Sequence, residues 1–205
     1  MAFPTTGSRT ELNDINQVLA SIGQAPVTTT EQTNPDVAIV TNTLDQVSRE
    51  VQAEGWTCNQ EGYVPTPPDA EGYILVPNNV IRLDLSKNFK NEHYDSVQRQ
   101  GYLYDRRNHT YIWDFTPECD YVYELIWDDL PQPIRSYVVA RASVLVSQRL
   151  IGDPTQLQAL QQQEIYCRSN ALEYDTDQGE YSFFGCPDGR GNFYRPYKPF
   201  HALYR

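Results

Sequence analysis

Basic residues are in short supply in this 205-residue sequence: 16 lysines and arginines stand against 27 aspartates and glutamates, for a formal charge of −11. The shortage argues against a general DNA-coating protein, because such binding displaces counterions from phosphate with cationic groups. Long apolar runs are also missing. Nothing approaches the ~20 residues that cross a bilayer, and mean hydropathy is −0.60. The opening Met1-Ala2-Phe3-Pro4 turns at once to polar residues, without the apolar stretch of a secretory signal. The expectation is a soluble protein, not exported by that route and not held in a membrane. Cysteine is scarce too. Cys58, Cys119, Cys167 and Cys186 show no CxxC or HxxxH spacing, so no zinc cage is preformed and no metal or cofactor is expected. They read as reduced, mostly buried thiols of a protein made in a cytoplasm. His93, His109 and His201 lie far apart with no GxSxG motif beside them, and no glycine-rich phosphate loop is present.

Aromatic residues, in contrast, make up 12% of the chain, and 15 of them are tyrosines. Tyrosine combines apolar area with a hydroxyl and suits interfaces as well as cores. A chain of this size buries roughly 70% of its unfolded surface, so neither a disulfide nor a metal is required to hold it together.

The first helix is marked by Ser8-Arg9-Thr10-Glu11, a capping box, followed by Leu12, Ile15, Leu19 and Ile22 at helical spacing. Gly23 is a natural left-handed stop and Pro26 prevents continuation. A second helix begins at Asn34-Pro35, N-cap then N1. Val37, Val40, Leu44, Val47 and Val51 step by three and four, a narrow seam for another helix, and Gly55 ends it.

From about Thr57 to Asp128 the period becomes two. Ile81, Leu83 and Leu85 alternate with polar neighbours, and Tyr121, Tyr123, Leu125 and Trp127 alternate with Val122, Glu124 and Ile126. Tyr102–Tyr104 and Tyr111–Trp113 flank the polar turn Asp105 to Thr110 and predict a hairpin. The expectation is one antiparallel sheet of four to six strands. After Pro131 and Pro133 helical spacing returns. Ile134, Tyr137, Val138, Arg141, Val144 and Leu145 share about a third of a helix that Gly152 closes, with the Arg141 head group expected to find a partner or solvent. Asp153-Pro154-Thr155-Gln156 restarts a helix with an acidic N-cap, and Leu157, Leu160, Cys167, Ala171 and Tyr174 continue its seam. The short join predicts an antiparallel helix pair. The fold class is thus α+β: an antiparallel bundle of about four helices (residues 1–56 and 129–176), an inserted antiparallel β-sheet domain (57–128) and an extended C-terminal arm (177–205).

Carboxylates are the only candidate catalytic groups. A glycosidase needs two, 5–10 Å apart across a cleft, and Glu118 with Asp120 or Asp128 with Asp129 supply pairs. The position of Asp128-Asp129 before Leu130-Pro131 favours a turn or helix start. Asp175-x-Asp177-x-Gly179 lacks the glycine and glutamate positions of a calcium loop. Arg106-Arg107 reads as a solvated turn rather than as a contact with phosphate or an acidic neighbour.

The segment from Glu11 to Val27, the Gly55-Trp56-Thr57-Cys58-Asn59 block, Leu150-Ile151-Gly152-Asp153-Pro154 and Glu173-Tyr174-Asp175-Thr176-Asp177 together resemble, in order and spacing, the tail tubular protein A family, the head-to-tail adaptor subunits of short-tailed bacteriophages. The likeness runs over residues 8–184. It differs at Cys58, where the family more often has a bulky apolar residue. It implies a non-enzymatic structural protein of the virion tail: a homo-oligomeric ring of twelve subunits below the portal protein, with a nozzle of tail tubular protein B beneath and tail fibres near the junction. DNA passes through the lumen during ejection without sequence-specific binding, and an acidic wall would repel rather than grip it. The alternative is a tail-associated carbohydrate-degrading enzyme using a pair among Glu118, Asp120, Asp128 and Asp129.

Residues 181–205 are set apart by chemistry. They hold the aromatics Tyr181, Phe183, Phe184, Phe193, Tyr194, Tyr197, Phe200 and Tyr204, and the cations Arg190, Arg195, Lys198 and Arg205 against one acid, Asp188. The segment carries +3 and the first 180 residues −14. So many aromatics argue against a disordered linker. The segment is expected to contact a neighbouring subunit or the portal, with folding back onto its own subunit and base stacking as the other readings.

Overall fold

A computed structural model describes residues 11–29, 34–87, 91 and 93–179. Four helices account for both ends of that range: α1 (Glu11–Ser21), α2 (Pro35–Gln52), α3 (Gln132–Leu150) and α4 (Pro154–Gly179). The capping box read at Ser8 lies outside the described residues. The stop at Gly23 is as expected: its φ is +75°, and the amides of Gly23 and Gln24 donate to the carbonyls of Ala20 and Leu19 at 3.1 and 3.0 Å. This is the paired closure of a left-handed C-terminal cap. Asn34 caps α2 by accepting from the Asp36 amide at 3.0 Å, with Pro35 at N1, and all five residues of the predicted seam are buried.

Helix α3 differs from expectation. Its buried residues include Ile134, Tyr137 and Val138, but also Val139, Ala140, Ala142, Ser143, Val146 and Ser147, so burial extends well beyond one third of its surface. The reason is position: α1, α2 and α4 all pack against it, and its small residues let them approach. Arg141 finds its partners in the Tyr137 hydroxyl and Glu50, at 3.2 and 3.3 Å. Helix α4 runs back along α3 as an antiparallel mate. Asp153 accepts from the Thr155 amide at 3.0 Å, and Gln156 donates its side-chain amide to the carbonyl of Ser21 at the end of α1.

Among the described residues five strands fall within the predicted number, yet they form two sheets and not one. β1 (Gln60–Pro65), β2 (Val80–Leu85) and β5 (Glu118–Tyr123) make an antiparallel sheet with β5 in the centre; β3 (Ser96–Arg99) and β4 (Tyr102–Asp105) make a separate hairpin. The predicted hairpin is therefore displaced. Its tight turn is Gln100-Gly101, whose φ values of +54° and +81° suit a two-residue connection. Asp105 and Thr110 form only an isolated bridge. Tyr111–Trp113 is not a strand, because Trp113 is drawn inward: its backbone amide donates to Gly72 and its indole to Leu103, at 2.8 and 3.0 Å. The alternation read through Trp127 also stops early, at Tyr123.

Two apolar clusters result. One gathers Ile15, Leu19, Val40, Leu44, Val47, Trp56, Ile134, Tyr137, Val146 and Ala171 around α3. The other gathers Ile74, Val76, Val80, Leu103, Trp113, Cys119 and Tyr121 between the sheets. Of the cysteines, Cys119 is buried, and burial pushes its thiol up to about 11. Cys167 is half-buried. Cys58 is exposed, against expectation, because it sits in the short 3-10 turn Thr57–Asn59. Cys186 lies outside the described residues.

Candidate functional site

The junction of helices and sheet is built by two side-chain amides. Gln52, at the end of α2, accepts from the Leu125 amide at 2.7 Å and donates to the Leu125 carbonyl at 3.2 Å. Asn59 donates to the carbonyls of Gln52 and Tyr123 at 3.0 and 2.9 Å. Both side chains are buried, and each satisfies backbone groups at a half-buried joint. Beside this clamp, Trp127 donates its indole N–H to the buried Asp14 at 3.1 Å. An open groove of about 1020 Å³ lies over the clamp, between the last turns of α2, residues 78–79 and residues 124–127. Its charged groups are Asp45, Arg49, Glu50 and Glu124; Arg49 pairs with Glu124 and Arg141 reaches Glu50, so one net negative charge remains, and Ile126 stands in it 68% exposed.

A second surface covers the hairpin. Ile74, Val76 and Leu103 point into the core, so their neighbours Leu75 and Tyr102 point out, Leu75 at 67% exposure. Tyr73 packs edge-on against Tyr102 at 5.8 Å, Tyr104 against Tyr111 at 4.7 Å, and the Arg99 guanidinium lies 4.3 Å over the Tyr104 ring. Exposed Ile112 abuts Gly72, where a Cβ would come within 2.8 Å of the isoleucine Cγ2. Tyrosine with arginine and isolated aliphatics is the composition of docking surfaces.

A third lies along α4. Ile165, Ser169, Leu172 and Thr176 step by four, three and four on its outer side. Ser169 and Thr176 turn their hydroxyls back to the carbonyls of Ile165 and Leu172 at 3.0 and 2.7 Å, which leaves a largely apolar stripe with Tyr166 beside it. Ile165 is 66% exposed.

Of the carboxylates read as a possible catalytic pair, Asp120 has structural employment. Asp120 accepts from the Ser86 hydroxyl and from the amide of Tyr63 at 3.0 Å, fixing a bulge in β1 where Tyr63 has φ +57°. Glu118 begins β5 opposite Pro65. Asp128 and Asp129 are exposed in the 3-10 turn Trp127–Asp129; α3 starts later, after Pro131. They lie in the turn and not at the helix start. Asp175 lies within α4 and accepts from the Thr57 amide at 2.6 Å, tying the helix to the end of α2. Among the described residues no cluster of histidine, cysteine or carboxylate groups could hold a metal ion. Arg106 does meet an acidic neighbour, contrary to the solvated-turn reading: it contacts Asp95 through Nε at 2.8 Å and also through Nη2. The predicted contact residues Tyr181, Phe183, Phe184, Arg190, Phe193, Tyr194, Arg195, Tyr197, Lys198, Phe200 and Tyr204 lie outside the described residues, as do the extended arm and His201. Sequence reasoning missed the groove and the α4 stripe. Ile165 and Leu172 at heptad spacing were the available signal for the second.

The α+β chain thus exposes apolar or aromatic side chains on its hairpin, on its last helix and at the junction between its two cores. A family model described as tail tubular protein matches residues 12–181, and the chain belongs to that family. It is a structural component of a phage tail and hence of the virion; the family is one of tail structure, not of enzymes. No curated protein matches it. No helix among the described residues is long and apolar enough to cross a membrane.

Proposed function

We propose that the chain is the A-type tail tubular subunit, twelve copies of which form the adaptor ring between portal and nozzle and conduct DNA during ejection. The observation that carries this is the presence of unlike exposed surfaces on one subunit, the α4 stripe and the tyrosine face of the β3–β4 hairpin. A closed ring of identical chains needs two different, complementary faces per subunit. On this reading the helices (residues 1–56 and 129–176) are the ring body, 57–128 project from it as an inserted domain, and the basic aromatic segment 181–205 contacts a neighbouring subunit or the portal. The nozzle protein and tail fibres attach below, and the subunit is made and assembled in the host cytoplasm. Free chains carrying −11 repel one another, so the portal acts as template and ring closure waits for it.

Mass photometry and electron microscopy of the protein with and without its portal test the proposal. Monomers alone at low salt and rings on the portal are expected. A strict monomer that never joins the portal, even at high concentration, overturns the adaptor reading; stable dodecamers at low salt without portal overturn templated closure.

A further inference from the structure

The groove over the Gln52 clamp is a concave surface with a net negative charge and a bare isoleucine. We propose that in the free protein it receives the chain's own C-terminal segment, residues 181–205, and so withholds that segment from other subunits until assembly. Four observations converge. The first is charge: the groove holds Asp45, Glu50 and Glu124, of which Glu124 is paired with Arg49 and Glu50 with Arg141, leaving one net negative charge centred on Asp45, and the segment carries +3. The contact thus pairs opposite signs on a body of −14, which also keeps the segment from other acidic surfaces at short range. The second is apolar complementarity. Ile126 is 68% exposed above half-buried Leu125 and Trp127, and the segment offers eight aromatic side chains as anchors.

The third is the point of departure. Helix α4 is described as far as Gly179, one turn beyond Asp175, which is bonded to Thr57. Thr57 follows α2 by a few residues, and the last turns of α2 form one wall of the groove. The segment is therefore tethered to the same body as the site it would fill, with the Asp175–Thr57 bond joining its helix to the chain that follows the α2 wall, and a tether raises effective concentration. The fourth is length. The 26 residues from 180 to 205 reach about 86 Å when extended, at roughly 3.3 Å each, whereas a body of this size has a radius of gyration of about 16 Å. The same segment is long enough to dock at home and, once displaced, to cross to a neighbour. Such exchange of an identical element between protomers is a low-cost route to association.

The test uses the full chain. A photoreactive phenylalanine analogue replaces Ile126, and monomers at low salt, mixed from isotopically heavy and light copies, are irradiated and sequenced by mass spectrometry. Cross-links from position 126 to residues 181–205 within one copy are expected. Cross-links only between heavy and light copies, or only to other parts of the chain, overturn the proposal. In a second arm, Asp45→Lys with Ile126→Ser alters two exposed side chains. Trypsin cleavage after Arg190 is expected to accelerate about tenfold with an unchanged melting transition; an unchanged rate overturns the proposal. Ring formation on the portal, scored separately, decides the adaptor reading, so either can fail alone.

Discussion

The two apolar clusters of this chain are made by different means. Around α3 the residues are mostly aliphatic, drawn from seams at helical spacing, and the backbone polar groups are satisfied within the helices. Between the sheets the cluster is smaller and richer in rings, with Tyr94, Trp113 and Phe115 in mutual contact at 4.6 to 6.0 Å. Its long connections are held by short polar side chains. Asp69 accepts from the amides of Glu71 and Tyr73, Asn91 donates to the carbonyls of Ser86 and Glu118, and Asp120 holds the β1 bulge. The helical region rests on burial, and the sheet region rests on burial plus a set of side chains standing in for missing ladder bonds. Mutations that separate burial from hydrogen bonding should therefore act differently in the two.

The largest effect is expected from Leu44→Ala in α2. The side chain is fully buried in the helical cluster, and removing it costs the transfer energy plus a cavity, about 3 kcal/mol. Urea denaturation should show a lower midpoint with an unchanged slope. A loss under 1 kcal/mol would mean that the helical core readily collapses around the gap, and that its packing is not what sets it apart.

Asp105→Ala probes the other region. Burial alone would raise its carboxyl pKa. The side-chain amide of Asn108 and the backbone amides of Arg107, Asn108 and Asp95 outweigh that, and hold it below the ordinary value. With only 1% of Asp105 exposed, deletion leaves those donors unpaired and should cost about 2 kcal/mol. The sign with pH follows from the depressed value. The stabilisation is complete above the unfolded pKa near 4 and disappears as pH falls through the lower folded value. Wild type and variant should therefore converge in stability on acidification below pH 4. Parallel curves down to pH 2 would refute the assignment.

What could be read from the sequence was what is local. Asn34-Pro35, Gly23 and Asp153-Pro154 each fix a helix end within four residues, and the α2 seam states its own burial. Non-local choices were hidden. Nothing in the pattern says that β5 pairs with β1 and β2 while β3 and β4 stand apart, because a strand's alternation does not name its partner. The polar loop Asp105 to Thr110 reads as the turn, yet Gln100-Gly101 has the backbone that a two-residue hairpin needs. Small residues misled in α3, where Ala140, Ala142, Ser143 and Ser147 are buried without contributing to an apolar stripe. The groove was illegible for a related reason. Its central element is Gln52, a polar residue that sequence patterns assign to a surface.

That residue sets up the smallest and sharpest comparison, at the seam between the two regions. Arg49 and Gln52 are neighbours on one side of α2, and both bridge to the chain that leaves β5. Arg49 Nε donates to Glu124 at 2.8 Å, but its side chain is 71% exposed and that of Glu124 33%. Water and salt screen such a pair, and ordering two long side chains opposes it, so Arg49→Ala should cost at most ~0.5 kcal/mol and less at high salt. Gln52 is buried and bonded twice to Leu125. Gln52→Ala leaves the half-buried amide and carbonyl of Leu125 without their side-chain partners, and should cost several times more, about 2 kcal/mol, with no salt dependence. Parallel urea melts of both variants at low and at 0.5 M salt (chosen to shrink the Debye length to about 4 Å) decide between them. If Arg49→Ala proves as damaging as Gln52→Ala, and the loss fades with salt, the two regions are joined by electrostatics at the surface. The expected result, a large salt-independent loss for Gln52 alone, places the joint in the buried amide pair of Gln52 and Asn59.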